Sequence, residues 1–276
     1  MNRKGSLGAY VFLGFGAFLA GFPILWLVVS SLKPQSQFAN PVPSLGSLTF
    51  ENYVVAFTES DVGRWALNSL LIAVSTTILG LFICSMAAFS FARYQFRGKG
   101  VLFAAIVATV AFPDYITLIP VFVIERELHL LNTTAAVVLP LAAHALGVFL
   151  MRQYIAQLPG ELFDAFRIDG SNEWRAYWSL AMPLVRPGLG ATGLVIFLAA
   201  WNAYLLPLVV LRSPQRFTMP LGLAATHSQL LTGNQSIDPW AILTVGSVVS
   251  IVPLAACLIV MQRNFISGLT TGAVKA

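Results

Sequence analysis

The sequence predicts an all-α membrane protein with six transmembrane helices, and three observations predict it. Of its 276 residues, 57% are hydrophobic and only 10% are charged, against roughly 45–50% apolar and about 25% charged in a soluble domain. Six apolar stretches are each long enough to cross the bilayer core, which takes roughly 20 helical residues. Basic residues collect in alternate gaps between those stretches. This composition excludes a disordered chain and argues against a soluble enzyme, which needs enough polar surface to stay in water.

The first stretch covers 7–32 and follows Arg3 and Lys4. A signal-peptide core is only about 7–15 residues long and ends in a small-residue cleavage site. This stretch is longer and leads into Ser30-Ser31-Leu32-Lys33, so an uncleaved spanning helix is expected. The other five cover 66–92, 101–124, 135–154, 189–211 and 240–261. With the N-terminus in the cytoplasm, one side holds eleven Lys and Arg residues, among them Arg93, Arg97, Lys99, Arg152, Arg167, Arg175 and Arg186. The other side holds five: Lys33, Arg64, Arg126, Arg212 and Arg216. The basic side of a membrane protein is the cytoplasmic one, so six spans put both termini inside. The net charge of +5 is therefore loop charge, not the one-sided basic face of a nucleic-acid-binding protein. Cys84 and Cys257 fall inside apolar stretches and read as small core hydrophobes. Pro23, Pro113, Pro120, Pro140, Pro207 and Pro253 lie within spans and are expected to kink them.

One internal loop departs from the rest. It runs Leu158-Pro159-Gly160-Glu161-Leu162-Phe163-Asp164-Ala165-Phe166-Arg167-Ile168-Asp169-Gly170-Ser171-Asn172-Glu173-Trp174. Proline near a helix start and acids in the first turns complement the helix dipole. Gly170 suits the left-handed residue that ends a helix, and Ser171 suits the cap of a second one, with Glu173 in its first turn. The expectation is helix, sharp turn, helix outside the membrane, with an amphipathic first helix that needs a groove or a lipid surface to cover its apolar side.

This segment resembles the EAA loop of bacterial ATP-binding-cassette importer permeases. Pro159, Glu161, Leu162, Ala165, Ile168, Asp169 and Gly170 match that pattern, as does Met182-Pro183-Leu184-Val185-Arg186-Pro187. Asp164 replaces the second glutamate, the larger Phe166 replaces the second alanine, and Ser171 replaces the last alanine. Further stretches resemble the carbohydrate branch of the family: Asn68-Ser69-Leu70, Ala87-Ala88-Phe89-Ser90-Phe91-Ala92-Arg93, Leu131-Asn132-Thr133, Trp201 to Leu208, and the tail from Gln262 to Lys275. Together they cover most of the chain from about residue 68 onward and point to the shorter, maltose-permease-like subunit of a sugar importer.

The resemblance implies the type I ABC importer permease fold, a single permease domain over 1–276, and a coupling loop at 155–188. It implies a second homologous permease subunit, two copies of a P-loop ATPase, and an extracellular or periplasmic sugar-binding protein. ATP and Mg are then held by the partner subunits, this chain binds no cofactor, and nucleic acid is no partner. Glu161, Leu162, Asp164, Ala165, Phe166, Asp169 and Gly170 are implied to dock on one ATPase, with Asp164 facing a basic group and Phe166 needing a roomier cleft or a tilted helix. The tail 262–276, through Phe265, Gly268, Gly272 and Lys275, is implied to reach the ATPases and to be ordered only in the complex. Gln229, Gly233, Asn234 and Gln235 are implied to touch the binding protein.

Charged residues within a span face a cavity or a partner, so Asp114 is a candidate for lining the substrate route, or else a structural hydrogen bond near a kink. His144, Trp201, Asn202 and Tyr204 are further route candidates, with helix packing and interhelical hydrogen bonds as the competing roles. Gly188, Gly190 and Gly193 fit a dinucleotide fingerprint, but no strand precedes them, and close helix packing accounts for them. No phosphate-binding P-loop pattern is present, and His129, His144 and His227 lack metal-ligand spacing. The alternatives are an importer of a polyol or glycerol phosphate, a stand-alone secondary transporter, or an intramembrane enzyme built on Asp114 and His144.

Overall fold

A computed structural model describes residues 4–38, 45–232 and 239–273. Among these the chain is helical, with no strand. In order the helices are α1 (Lys4–Ser31), α2 (Glu51–Thr58), α3 (Val62–Arg93), α4 (Lys99–Ala108), α5 (Asp114–Glu127), α6 (Ala135–Ala142), α7 (Ala145–Ala156) and α8 (Gly160–Ile168). Then come α9 (Glu173–Arg175), a π-helical turn (Ala176–Ala181), α10 (Met182–Leu184), α11 (Arg186–Trp201), α12 (Leu205–Val210), α13 (Met219–Thr232) and α14 (Pro239–Ala273).

Three helices are long and apolar enough to cross a membrane singly: Gly8–Ser31, Val62–Arg93 and Pro239–Cys257. Three bent pairs bring the number to six if each counts as one span. The third expected span, 101–124, is therefore two helices, α4 and α5. Phe112 is extended there (φ −81°, ψ 131°), because the ring of Pro113 disfavours the helical region for the residue before it. The fourth span bends by 44° between α6 and α7. In place of the fifth, expected over 189–211, the bent pair is Glu173–Leu184 with Arg186–Trp201, at 83°; the helix ends at Trp201 and resumes at Leu205, and Pro207 has no N–H to donate to the carbonyl four residues back, at Ala203. The last helix runs on to Ala273, past the expected limit of 261. Once nucleated, a helix gains a hydrogen bond for each residue added, so the backbone beyond residue 261 continues α14.

The chain divides into two units, Met1–Ala66 with Met219–Pro253, and Leu67–Thr218 with Leu254–Ala276. In the first unit, α1 exposes apolar side chains such as Tyr10, Phe12, Phe15 and Leu19 around its circumference, as a helix bathed in lipid does. Its C-terminal carbonyls are capped by Asn52, which is fully buried and donates to Ser31 O at 2.9 Å and Lys33 O at 2.6 Å. Gly222 of α13 lies against the Trp65 indole, where a Cβ would come within 2.2 Å of the ring.

In the second unit, α3, α7 and α11 pack closely. A Cβ on Gly188 would stand 2.5 Å from the Tyr154 ring, so close approach is the use of this glycine. Cys84 is buried, and its thiol donates to His144 O at 3.3 Å. Asn132 (φ 60°) staples the turn after α5 to the end of α12: its N–H donates to Val210 O, its Nδ2 to Ser213 Oγ, and its Oδ1 accepts from Arg212 N and Ser213 N. Trp174 and Trp178 expose half of their surface beside the buried Tyr177, the arrangement of an aromatic anchor at a membrane interface.

Glu125, near the end of α5, is 3% exposed, and neither carboxylate oxygen has a hydrogen-bond partner. An unpaired buried carboxyl is destabilising. Replacing it with methionine is expected to raise the thermal midpoint of the purified protein, by about 2–4 °C per kcal/mol recovered. A fall instead would reveal a polar partner for Glu125.

Candidate functional site

Two places in the second unit gather the residues singled out by the sequence. The first is the segment between α7 and α11. Here α8 is amphipathic with opposed faces. Glu161, Asp164, Ala165 and Ile168 are exposed and lie at i, i+3, i+4 and i+7, which is one side of a helix. Phe163 is 3% exposed, and Phe166 packs against the same buried cluster, formed with Phe89, Met151, Ile155, Tyr177 and Met182. Leu162 and Asp169 flank the outward face and are exposed.

Phe166 is the departure expected to need either room in a partner cleft or a tilted helix. The structure turns it inward, so the protein's own core accommodates the larger ring. Ser171 does not cap the second helix. Asn172 does, with Oδ1 accepting from Arg175 N at 2.8 Å. Gly170 has φ +77°, and Ser171 N bonds Phe166 O while Gly170 N bonds Arg167 O. That paired pattern is a Schellman cap, which needs a left-handed residue at this point.

The helix is tethered from behind by the end of α3. Arg93 Nη2 donates to Ile155 O at 2.8 Å and to Leu158 O at 2.7 Å, closing off the carbonyl end of α7. Its guanidinium carbon stands 3.9 Å from the Phe163 ring centroid. The next residue holds the second arm: Tyr94 OH donates to Glu173 Oε2 at 2.9 Å, and Glu173 Oε1 accepts from Arg167 Nε at 2.7 Å. Burial, reinforced by the Glu173 carboxylate, pushes the Tyr94 phenol up to about 12, so it remains a donor. Asp164 is paired within its own helix, 3.3 Å from Arg167 Nη1, and is 70% exposed. An exposed pair of this kind contributes little stability, so the Asp164 carboxylate is available to exchange partners.

The second place is a cavity of about 790 Å³. Three helix interruptions meet on it: Thr109, Val110 and Phe112 from the end of α4, Ala143 and His144 between α6 and α7, and Asn202, Ala203 and Tyr204 between α11 and α12. His144, Asn202 and Tyr204 are thus brought together. Trp201 is not: it is 3% exposed, stacks on Phe197 at 6.0 Å, and packs with Ala73 and Ala200. Its neighbour Asn202 faces the cavity because the helix ends between them.

Asp114 is described by its backbone alone, as the first residue of α5, and Phe265, Gly268 and Gly272 likewise within α14. Gln229 is exposed near the end of α13. Gly233, Asn234, Gln235 and Lys275 lie outside the described residues. Sequence reasoning missed Ile168 as an outward residue, Phe163 as the buried anchor, and Arg93 and Tyr94 as tethers. Only Ile168 had a local signal, an apolar residue in register with Glu161 and Ala165.

Broken apolar helices around a cavity, with an amphipathic helix displayed between two of them, define a multi-pass membrane permease. The chain belongs to the binding-protein-dependent transport system inner membrane components, whose family pattern matches residues 77–271. It is 38% identical, over the full length of both chains, to the arabinooligosaccharides transport system permease protein AraQ of Halalkalibacterium halodurans. It is 30% identical to the lactose transport system permease protein LacG of Rhizobium radiobacter, over 99% of this chain and 98% of that protein. Its fold is that of a chain in the crystal structure of a bacterial ABC transporter involved in import of the acidic polysaccharide alginate, with a TM-score of 0.81, 22% identity, and coverage of 95% and 98% of the two chains. This is a transport subunit of the inner membrane and not an enzyme.

Proposed function

We propose that the chain is one of two permease subunits of an ATP-driven importer that receives a saccharide from an external binding protein. The observation that carries this reading is the end-to-end identity with permeases named for arabinooligosaccharides and lactose. In this reading both termini are cytoplasmic, in keeping with the excess of basic residues on that side. ATP and Mg bind to two copies of a separate ATPase. The outward face of α8 (Glu161, Asp164, Ala165 and Ile168, with Leu162 and Asp169 at its edges) sits in a cleft of one copy, and Gly170 sets its angle. Nucleotide-driven closure pushes on α8. Arg93 and Tyr94 carry the push to α3 and to the arm that leads into α11, and those helices open the route outward. The tail through Phe265, Gly268, Gly272 and Lys275 reaches the ATPase pair, and Gln229 with Gly233, Asn234 and Gln235 meets the binding protein. Asp114, at the break before α5, belongs to the route with His144, Asn202 and Tyr204.

A tagged pull-down from native membranes in mild detergent tests the assembly. It is expected to retain a P-loop ATPase and a second polytopic permease. Vesicles holding the purified complex are expected to accumulate saccharide only with ATP and the binding protein. A chain that purifies alone, or uptake that survives ATP depletion, would place it among stand-alone carriers.

A further inference from the structure

We propose that the segment Glu173–Leu184 lies in the cytoplasmic face of the bilayer and binds the headgroups of anionic phospholipids through Arg175 and Arg186. The choice of leaflet rests on the orientation proposed above, and the lipid chemistry goes beyond it.

The segment turns from α11 by 83°. With α11 crossing the bilayer, it therefore runs close to the membrane plane. Its depth is set by α3. That helix exposes large apolar side chains from Leu67 through Leu71, Val74 and Ile78 to Phe82 and Ile83. They span about 24 Å at 1.5 Å per residue, most of a hydrocarbon core about 30 Å thick. Beyond Ile83, α3 exposes no large apolar side chain, and Cys84, Ser85, Ala88, Phe89 and Phe91 are buried in protein. The segment meets α3 where that apolar exposure stops. Trp178 stacks on Phe82 with centroids 6.4 Å apart, and Ser85 Oγ and Tyr177 OH share a hydrogen bond of 2.7 Å.

The uncovered side of the segment suits that level. Trp174 and Trp178 are four residues apart, on one side of a helix, with ring centroids 6.1 Å apart. Both are half exposed, as is Leu184. Tryptophan collects at membrane–water interfaces, and helices that lie in the interface combine it with basic residues. Through the Phe82 stack this aromatic side continues the apolar side of α3, so lipid covers both. Arg175, next to Trp174, and Arg186, two residues after Leu184, are exposed, and neither forms an ion pair among the described residues. No acidic residue occurs between Glu173 and Asp238, and Glu173 is already bonded to Arg167 and Tyr94. Guanidinium groups bind phosphate oxygens through paired N–H donors. A lipid with net negative charge is favoured over a zwitterionic one, whose own cation balances its phosphate.

The test places a photoreactive benzophenone side chain at the exposed Ser179. The protein, purified with whatever subunits accompany it, is held in nanodiscs of equal parts dioleoylphosphatidylglycerol and dioleoylphosphatidylcholine. Irradiation followed by mass spectrometry counts the adducts. They are expected to form with lipid and to be enriched in phosphatidylglycerol. Arg175→Gln and Arg186→Gln are each expected to lower the phosphatidylglycerol-to-phosphatidylcholine ratio by about fivefold, the attraction of one basic residue for an anionic membrane surface. Arg97→Gln, which removes an exposed arginine from another internal loop, is expected to leave the ratio unchanged. A ratio of one in the wild type, or one that neither substitution moves, overturns the headgroup site, as does an equal fall in Arg97→Gln. Adducts with a polypeptide give the face to a protein partner, and a lack of adducts leaves it in water; either overturns the interfacial placement. The readout requires neither ATP nor saccharide, so an importer that fails to transport counts against the saccharide reading alone.

Discussion

Replacing Arg93 with alanine is expected to leave the importer assembled but to uncouple it, with ATP hydrolysed and little substrate moved. The reason is the number of elements that one side chain joins. Two charge-assisted bonds hold a carbonyl near the end of α7 (Ile155) and one in the link to α8 (Leu158), and the guanidinium faces the Phe163 ring of α8. Hydrogen bonds to a charged group contribute about 1.5–3 kcal/mol each, and a cation–π contact about 0.5–2 kcal/mol. The substitution therefore removes several kcal/mol from the junction of α3, α7 and α8 while leaving the outward face of α8 untouched. Docking survives, but the push on α8 is no longer delivered to α3. Transport per ATP hydrolysed, measured in proteoliposomes, reads the effect directly. Arg93→Lys is expected to recover only part of it: an ammonium can donate to both carbonyls, as the single Nη2 does, but cannot at the same time lay a planar cation over the Phe163 ring. A ratio unchanged from wild type in Arg93→Ala would remove Arg93 from the transmission path.

What could be read in the sequence and what could not divides along the reach of the interactions. Spanning segments are written in composition, because hydrocarbon thickness fixes how many apolar residues a helix needs. The turn at Gly170 was legible because its cause is local: one residue with positive φ and two bonds within five residues of it. Pro113, Pro140 and Pro207 each stand within three residues of a helix interruption. The interruption at Ala143 and His144 follows Pro140 of α6 and is held by one distant contact, the Cys84 thiol on His144 O, and one local contact, Gly147 N on the His144 ring. For the same reason Trp201 and Asn202, adjacent in the chain, could not be assigned to core and cavity before the end of α11 was known. Phe163 and Phe166 look equally able to face a partner. Only the position of Phe89, Tyr177 and Met151, from distant parts of the chain, decides that both turn inward.

That inward turn makes the remaining outward residues carry the docking, and Ile168 stands out among them. It is 86% exposed, in a segment expected to lie in water outside the bilayer, one turn after Asp164 and three residues after Ala165. An isoleucine so placed contributes nothing to the fold, since the Schellman cap around it uses backbone groups alone. It does add apolar area to a face whose other members are two acids and an alanine. Central apolar anchors commonly dominate an interface, costing about 2–4 kcal/mol when lost. Ile168→Asp also puts a third carboxylate beside Glu161 and Asp164, and a charge on a desolvated contact is penalised further. The variant is expected to keep its thermal midpoint and its partner permease, yet to retain the ATPase at least about 30-fold less well in detergent, which is roughly 2 kcal/mol. Phe166→Ala gives the contrasting result, a lower midpoint from a lost core contact before any loss of ATPase. If Ile168→Asp retains the ATPase as well as wild type does, the outward face of α8 is not the docking surface, and the tail beyond Met261 becomes the place to look.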